Sequence, residues 1–482
     1  MAKAKTVYIC QNCGEKHPRW QGQCSNCDEW NTLVETIEEA PTKKGLTGPR
    51  EKAVNPQNIV SFSQVEAASG PKRRFSTQIG ELDRVLGSSL IGKGKDQFVT
   101  TGMVPGAVML IGGEPGIGKS TLLTQMVVKM LYSAYNDGGE TEPNKKYSIL
   151  YVCGEESPAQ IAMRIKRIQE YEHLNFSGKK AAGMTSFLNE KLLFVTSTDT
   201  DEVTSIIKEQ SPGLVIIDSI QTMGTEDLTG AEGSVGQIRE STQRIADTVK
   251  RLGIPTFLVG HVTKEGTIAG PKVLEHIVDA VLELSGERTD QLRLIRAIKN
   301  RFGATDEVGV FRLVEYGLEE VPNPSELLLE HAQKSVPGSA TACVMEGTRP
   351  LLIEVQALVV SSQLAMPRRV GRGIELSRIQ VLAAVLQKHA GLGLGMADVF
   401  VNAAGGFTVR EPSVDLGLAV AIASSMNNRA LPEKTVFIGE VGLLGEIRSV
   451  SYLDRRVKEA KRLGFSKIIS RQTHHRVRDV LK

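Results

Sequence analysis

Cys10-x-x-Cys13 and Cys24-x-x-Cys27 are two cysteine pairs separated by ten residues. Each pair brings two sulfurs to the mouth of one tight turn, and two such turns supply a tetrahedral S4 site for zinc. The gap is shorter than the roughly 15–20 residues usual between such pairs, yet long enough for a small hairpin. Free or redox-active thiols are the alternative. Two pairs in a segment too small to fold unaided favour the metal. Such a site is closed, so a structural or docking role is expected. Cys153 and Cys343 stand alone and read as small buried hydrophobes.

Gly113-Glu114-Pro115-Gly116-Ile117-Gly118-Lys119-Ser120-Thr121 matches G-x-x-x-x-G-K-[ST]. It follows apolar Val108–Ile111 and precedes Leu122-Leu123-x-x-Met126-Val127, the strand–loop–helix setting the motif requires. The glycines let backbone N–H groups curl around phosphate oxygens, and the helix N-terminus adds its positive end. Lys119 is expected to neutralise the β- and γ-phosphates of ATP, and Ser120 to ligate Mg²⁺. Leu214–Asp218 reads as a buried strand with a carboxylate at its tip, where Asp218 would hold Mg²⁺ through water. A plain surface aspartate is the alternative. Ile149–Gly154 runs into Glu155-Glu156, one of which can polarise the attacking water. Glu155, nearest the strand tip, is the choice.

These residues need elements to carry them. The chain has 482 residues, about three times a common domain size of roughly 150. It is 41% hydrophobic and 23% charged, so cores can form. A net charge of +3 does not by itself indicate a polyanion-binding protein. Six cysteines exclude a disulfide scaffold. The sequence has no run of 18 apolar residues, so no membrane helix is expected. Met1–Lys5 leads into no apolar signal core, and a reducing cytoplasm is the expected compartment. Residues 1–35 hold four cysteines and both tryptophans, and 36–75 read as a Pro- and Gly-bearing linker. From 76 to 325, apolar runs at Ala107–Gly112, Ser148–Cys153, Leu192–Val195, Leu214–Asp218, Thr256–Gly260, Val278–Leu284 and Leu292–Ala297 alternate with amphipathic stretches. That pattern predicts an α/β domain with a largely parallel sheet and antiparallel strands near its end. A second mixed region covers 326–482. It has helical patterns at Leu376–His389, Ser413–Met426 and Tyr452–Leu463, and a strand-like Thr435–Gly439.

The order of P-loop, strand ending in Gly154-Glu155-Glu156-Ser157, and Ile216-Ile217-Asp218-Ser219 is similar to the RecA-like ATPase core. With the N-terminal C4 knuckle and Lys299-Asn300-Arg301-Phe302-Gly303, the chain resembles the bacterial RadA (Sms) family of DNA repair ATPases along essentially its entire length. The resemblance implies a hexameric, DNA-dependent ATPase, helicase-like in action. Such a protein processes recombination intermediates and drives branch migration on single-stranded and branched DNA, alongside the strand-exchange recombinase.

Read from the residues alone, Lys299, Arg301 and nearby Arg296 follow the strand Leu292–Ile295 on a short exposed turn. Such cations can form an arginine finger on a neighbour's γ-phosphate, line a DNA groove, or be plain solvated surface. The resemblance favours the first two. It also implies that loops Gln221–Gly236 and Thr263–Lys272 face a central channel and contact single-stranded DNA. By the same likeness, His261 would be a γ-phosphate sensor.

Residues 326–482 resemble the Lon protease domain, an α+β unit that in its own family uses a Ser–Lys dyad. Ser413, in Glu411-Pro412-Ser413, falls at the nucleophile's position, but Asp454 stands where the lysine belongs. A hydroxyl without a positioned base is a poor nucleophile. No proteolysis is therefore expected, and the domain reads as an assembly and DNA-binding scaffold. Pro367–Arg372 carries three arginines, and Arg448–Lys482 has eleven Lys or Arg against three Asp or Glu. Either face could track phosphates or be plain solvated surface. Two rival functions stay open. One is a ring ATPase that binds proteins without a DNA motor role. The other is an ATP-dependent protease, disfavoured by Asp454.

Overall fold

The computed structural model describes residues 5–10, 16–26, 29–38, 74–91, 98–136, 148–171, 179–260, 271–286, 291–329, 336–404 and 409–481. They fall into two units, Met1–Ser285 with Arg293–Thr305 and Leu313–Glu320, and Gly286–Leu292 with Asp306–Arg312 and Val321–Lys482.

The first unit begins with a small antiparallel sheet of β1 (Lys5–Cys10), β2 (Lys16–His17) and β3 (Leu33–Glu38), with β1 in the middle. An antiparallel pair follows, β4 (Ser88–Ile91) with β5 (Phe98–Thr101). The large sheet is built from β6 (Val108–Gly112), β7 (Ile149–Cys153), β8 (Leu192–Val195), β9 (Leu214–Asp218), β10 (Thr256–Val259), β11 (Ala280–Ser285), β12 (Leu292–Asn300), β13 (Val308–Val314) and β14 (Gly317–Glu320). Their order is β14-β13-β12-β11-β6-β10-β9-β7-β8. β6, β7, β9 and β10 are buried at every position. Such unbroken apolar runs suit parallel strands covered by helices on both faces. From β11 to β8 all pairings are parallel, and β12 then returns antiparallel to β11. The predicted α/β fold is present.

β12 is longer than its apolar run suggests. It continues to Asn300 because a bulge skips Ile298, so that Lys299 pairs with Val281 and Asn300 with Ala280. Lys299 therefore lies on the strand rather than on an exposed turn, and only Arg301 follows the strand's end.

Both ends of the expected linker are structured. Residues 36–38 belong to β3. Arg74 is buried, and its guanidinium donates to the carbonyls of Leu86, Gly102 and Phe302, with Nε on the Ser89 hydroxyl. Asn300 supports the same corner. Its amide donates to the carbonyls of Val85 and Leu86, ending the helix Gly80–Leu86, and its oxygen accepts from Phe302 N.

The second unit is α+β. Its sheet contains β15 (Ser339–Glu346), β16 (Arg349–Ser361), β17 (Arg369–Arg372), β18 (Ala397–Ala403), β19 (Thr435–Ile438) and β22 (Lys467–Ser470), ordered β17-β18-β16-β15-β19-β22. The short strands β20 (Glu440–Val441) and β21 (Ile447–Arg448) pair separately. Helix Asp415–Met426 is apolar nearly all round and packs on β15 and β16. The Cβ of any residue replacing Gly417 would come within 2.9 Å of Ala342 Cβ.

Arg74→Ala leaves buried carbonyls without a donor, and should destabilise the first unit by about 3 kcal/mol. Urea unfolding reads this directly, and a midpoint equal to the parent's would contradict it.

Candidate nucleotide and metal sites

The P-loop leaves β6 at its C-terminal end and leads into helix Lys119–Asn136, whose N-terminus closes the loop. Gly113 has φ +155°, and a Cβ there would lie 2.4 Å from the Leu284 carbonyl oxygen. Gly118, at φ +114°, likewise excludes side chains. Lys119 is only 4% exposed, and its Nζ donates to the carbonyls of Gly113 (2.9 Å) and Glu114 (3.0 Å). Burial lowers its pKa, while the charges of Asp218 and Glu155 act in the opposite direction.

Asp218 ends β9 level with Cys153 of β7, and β10 alone separates β9 from the P-loop strand. The carboxylate is 2% exposed, with Oδ2 accepting from the Tyr151 hydroxyl at 2.9 Å. Oδ1 is buried with no hydrogen-bond partner. Burial pushes the Asp218 pKa up, against the hydroxyls of Ser120 and Tyr151, which pull it down. An unpartnered carboxylate oxygen, on a group that the Ser120 hydroxyl also stabilises, is a donor set that fits Mg²⁺.

The two adjacent glutamates have different surroundings. Glu156 is engaged in a two-pronged ion pair with Arg164, at 2.7 and 2.6 Å. Glu155 accepts from Ser219 Oγ at 2.7 Å, beside the strand tip, and the N–H groups of Gly154 and Glu155 both donate to the Asp218 carbonyl. Lys119, Asp218 and Glu155 thus converge. Cys153 is buried nearby, its thiol pushed up to about 12 chiefly by burial. That leaves it inert at neutral pH.

Lys299 and Arg301 lie at the other end of the sheet. Lys299 Nζ donates to the carbonyls of Val278 (2.9 Å) and Glu275. Arg301 Nη1 donates to Asp279 Oδ1 at 3.1 Å with its side chain half exposed. Asp279 also takes Lys250 Nζ at 3.0 Å and, through Oδ2, the N–H of Val108 at 3.1 Å. Val108 is the first residue of β6, so Arg301 sits about 15 Å from its own P-loop along the strand. Asp279 had no signal in the sequence, being one acid before an apolar run.

The loop after β9 is organised by Gln237, whose amide donates to the carbonyls of Thr225, Leu228 and Gly230 and accepts from Thr225 N. Arg244 adds ion pairs to Asp201 and Asp227. His261 and residues 263–270 lie outside the described residues.

In the N-terminal sheet, Cys10 and Cys24 are buried together with Leu33. His17 Nε2 lies 3.4 Å from Cys24 Sγ. Cys13 and Cys27 lie outside the described residues. Two sulfurs from separate segments in one small core fit half of an S4 zinc site.

In the second unit, Ser413 is buried, and its hydroxyl donates to the Cys343 carbonyl (3.0 Å). The same oxygen accepts from Arg456 Nη1 at 3.0 Å. Arg456, wholly buried, also donates to Cys343 O and pairs with Glu411. Asp454 is exposed. The group that meets Ser413 is therefore Arg456 rather than Asp454, and a guanidinium cannot accept its proton. Among the arginines of β17, Arg369 donates to the carbonyls of Arg368, Ala397 and Leu394, whereas Arg372 is exposed.

A phosphate loop at the end of a central parallel strand, with acids at the tips of two others, defines a RecA-like P-loop ATPase. Family models agree, matching a rubredoxin metal binding domain at residues 8–35, an AAA domain at 96–267 and subunit ChlI of Mg-chelatase at 366–473. A Pseudomonas aeruginosa relative, "DNA repair protein RadA", is 44% identical over 97% of this chain and 93% of its own length. The Bacillus subtilis protein of the same name is 42% identical with the same coverage. A crystal structure of the RadB recombinase aligns at 19% identity with TM-score 0.35, covering 51% of this chain and 99% of that one. The chain belongs to the RadA family.

Two outcomes are expected. Metal analysis of the purified protein should find about one zinc per chain. None, with all four thiols titratable, would contradict the S4 reading. Ser413→Ala should leave ATP turnover at the parent's rate, because the hydroxyl is hydrogen-bonded to the Cys343 carbonyl and Arg456 in a structural role. A peptidase activity abolished by that change would overturn this.

Proposed function

We propose that this chain is a DNA-dependent ATPase of recombinational DNA repair, acting in the cytoplasm as a hexameric ring that drives branch migration alongside a strand-exchange recombinase. The observation that carries the proposal is the convergence of Lys119, Asp218 and Glu155 on one phosphate loop, in a chain akin to RadA proteins over nearly its whole length. Gly113–Gly118 and the helix N-terminus bind the phosphates through backbone N–H groups. Lys119 leaves its loop carbonyls for the β- and γ-phosphate oxygens. Ser120 and Asp218 would hold Mg²⁺, which would supply charge neutralisation on the phosphates. Glu155 orients and polarises the attacking water.

The remaining charge comes from a neighbour. Arg301 lies too far from its own P-loop to act there, so its guanidinium and Lys299 serve the nucleotide of an adjacent subunit, in the manner of an arginine finger. Asp279 and Asn300 hold that corner in place. The loop ordered by Gln237 and the exposed arginines of the second unit contact single-stranded or branched DNA. Residues 1–38 form the zinc finger, 39–73 the linker, 74–325 the ATPase domain and 326–482 a Lon-like scaffold without protease chemistry. The hydrogen bonding of Ser413 to Arg456 speaks against an ATP-dependent protease.

Arg301→Ala should bind ATP at near-parental affinity and lose turnover, since a finger acts mainly in the transition state. Lys119→Ala should lose at least about a hundredfold in turnover. Mixed together, the two variants should regain part of the rate, because some interfaces pair an intact P-loop with an intact arginine. Mixed rings with no regained turnover would contradict the finger and favour a DNA groove.

A further inference from the structure

The sequence reads Tyr151 as one residue of an apolar strand, and its burial at 1% exposure fits that role. Packing needs only the ring, which lies 6.2 Å from Phe194 between centroids. The hydroxyl does something else. Tyr151 is paired in register with Ile216, so Asp218, two residues further along β9, shares its face of the sheet as a diagonal neighbour. The phenol spans that diagonal to Oδ2 at 2.9 Å. Thr124, one turn after Ser120 on the P-loop helix, lies against the same hydroxyl and donates its own proton to the Ser120 carbonyl.

We propose that Tyr151 is a positioning residue for the metal-holding carboxylate. Its hydroxyl holds Oδ2, fixes the rotation of Asp218 and leaves Oδ1 as the oxygen available to the ion. This rests on the reading of Asp218 and Ser120 as the Mg²⁺ holders. A carboxylate can exchange its two oxygens by turning about its last bond, and in a buried site the turn is governed by which oxygen finds a donor. Here one oxygen has the phenol and the other has none. The arrangement is that of an outer group orienting a metal ligand, a layer whose loss weakens metal affinity by about tenfold or more.

The test is an Mg²⁺ titration of fluorescent ADP binding in the parent, Tyr151→Phe, Asp218→Asn and the double variant, with folding followed by thermal melting. Tyr151→Phe keeps the ring and should raise the Mg²⁺ midpoint about tenfold. Its nucleotide affinity in EDTA should be unchanged. In the Asp218→Asn background the same change should add nothing. A parental midpoint in Tyr151→Phe, even with a lowered melting temperature, would make the hydroxyl purely structural and overturn the proposal. A further shift in the double variant would also overturn it. Lys119→Ala separates this failure from that of the underlying site. If Lys119→Ala binds the nucleotide like the parent, the P-loop reading fails. If it loses binding while Tyr151→Phe behaves as the parent, only the positioning role fails.

Discussion

A buried ammonium and a buried carboxylate at the C-terminal edge of one parallel sheet set the terms for the rest of the first unit. Removing Lys119 and Asp218 from water is expensive unless each finds partners. The loop supplies them for Lys119 through the carbonyls of Gly113 and Glu114, and the sheet supplies one for Asp218 through Tyr151. One buried oxygen of Asp218 has no donor, and the two loop carbonyls that accept from the lysine are neutral groups that a phosphate outcompetes. The unfilled capacity is therefore matched to a triphosphate and a divalent cation. The strands around it are uniformly apolar because both faces of the sheet are covered, and that coverage creates the low-dielectric setting in which these charges act strongly.

The same sheet separates two chemistries by its own length. Phosphate binding occupies the C-terminal end of β6, and the Asp279–Arg301–Lys250 cluster occupies the N-terminal end. The strand between them keeps Arg301 away from its own P-loop, and the proposed finger therefore calls for a neighbouring chain. The half-exposed guanidinium of Arg301, held by a buried aspartate that also anchors β6, is pre-oriented rather than floppy.

Legibility in the sequence followed the range of the contacts. The P-loop and the cysteine pairs are local, so spacing alone identified them. Asp218 was legible because four apolar residues ending in an acid can only be a strand tip. Glu155 and Glu156 are adjacent acids in the sequence, and only the fold separates their surroundings: Glu156 pairs with Arg164, while Glu155 accepts from Ser219. Arg456 was missed because its partners Ser413 and Cys343 are 43 and 113 residues away. Arg74 looked like the end of a linker, since its acceptors are backbone carbonyls, which leave no mark in a sequence. β12 was cut short because a bulge at Ile298 disrupts the alternation that marks strands.

The proposed function requires a nucleotide site completed by a second chain, and the dependence of ATP turnover on protein concentration tests this most directly. Turnover per chain, measured across dilution with single-stranded DNA present and with the mass of the species followed in parallel, should collapse as assemblies dissociate to single chains. Full turnover per chain from a species with the mass of one chain would contradict it.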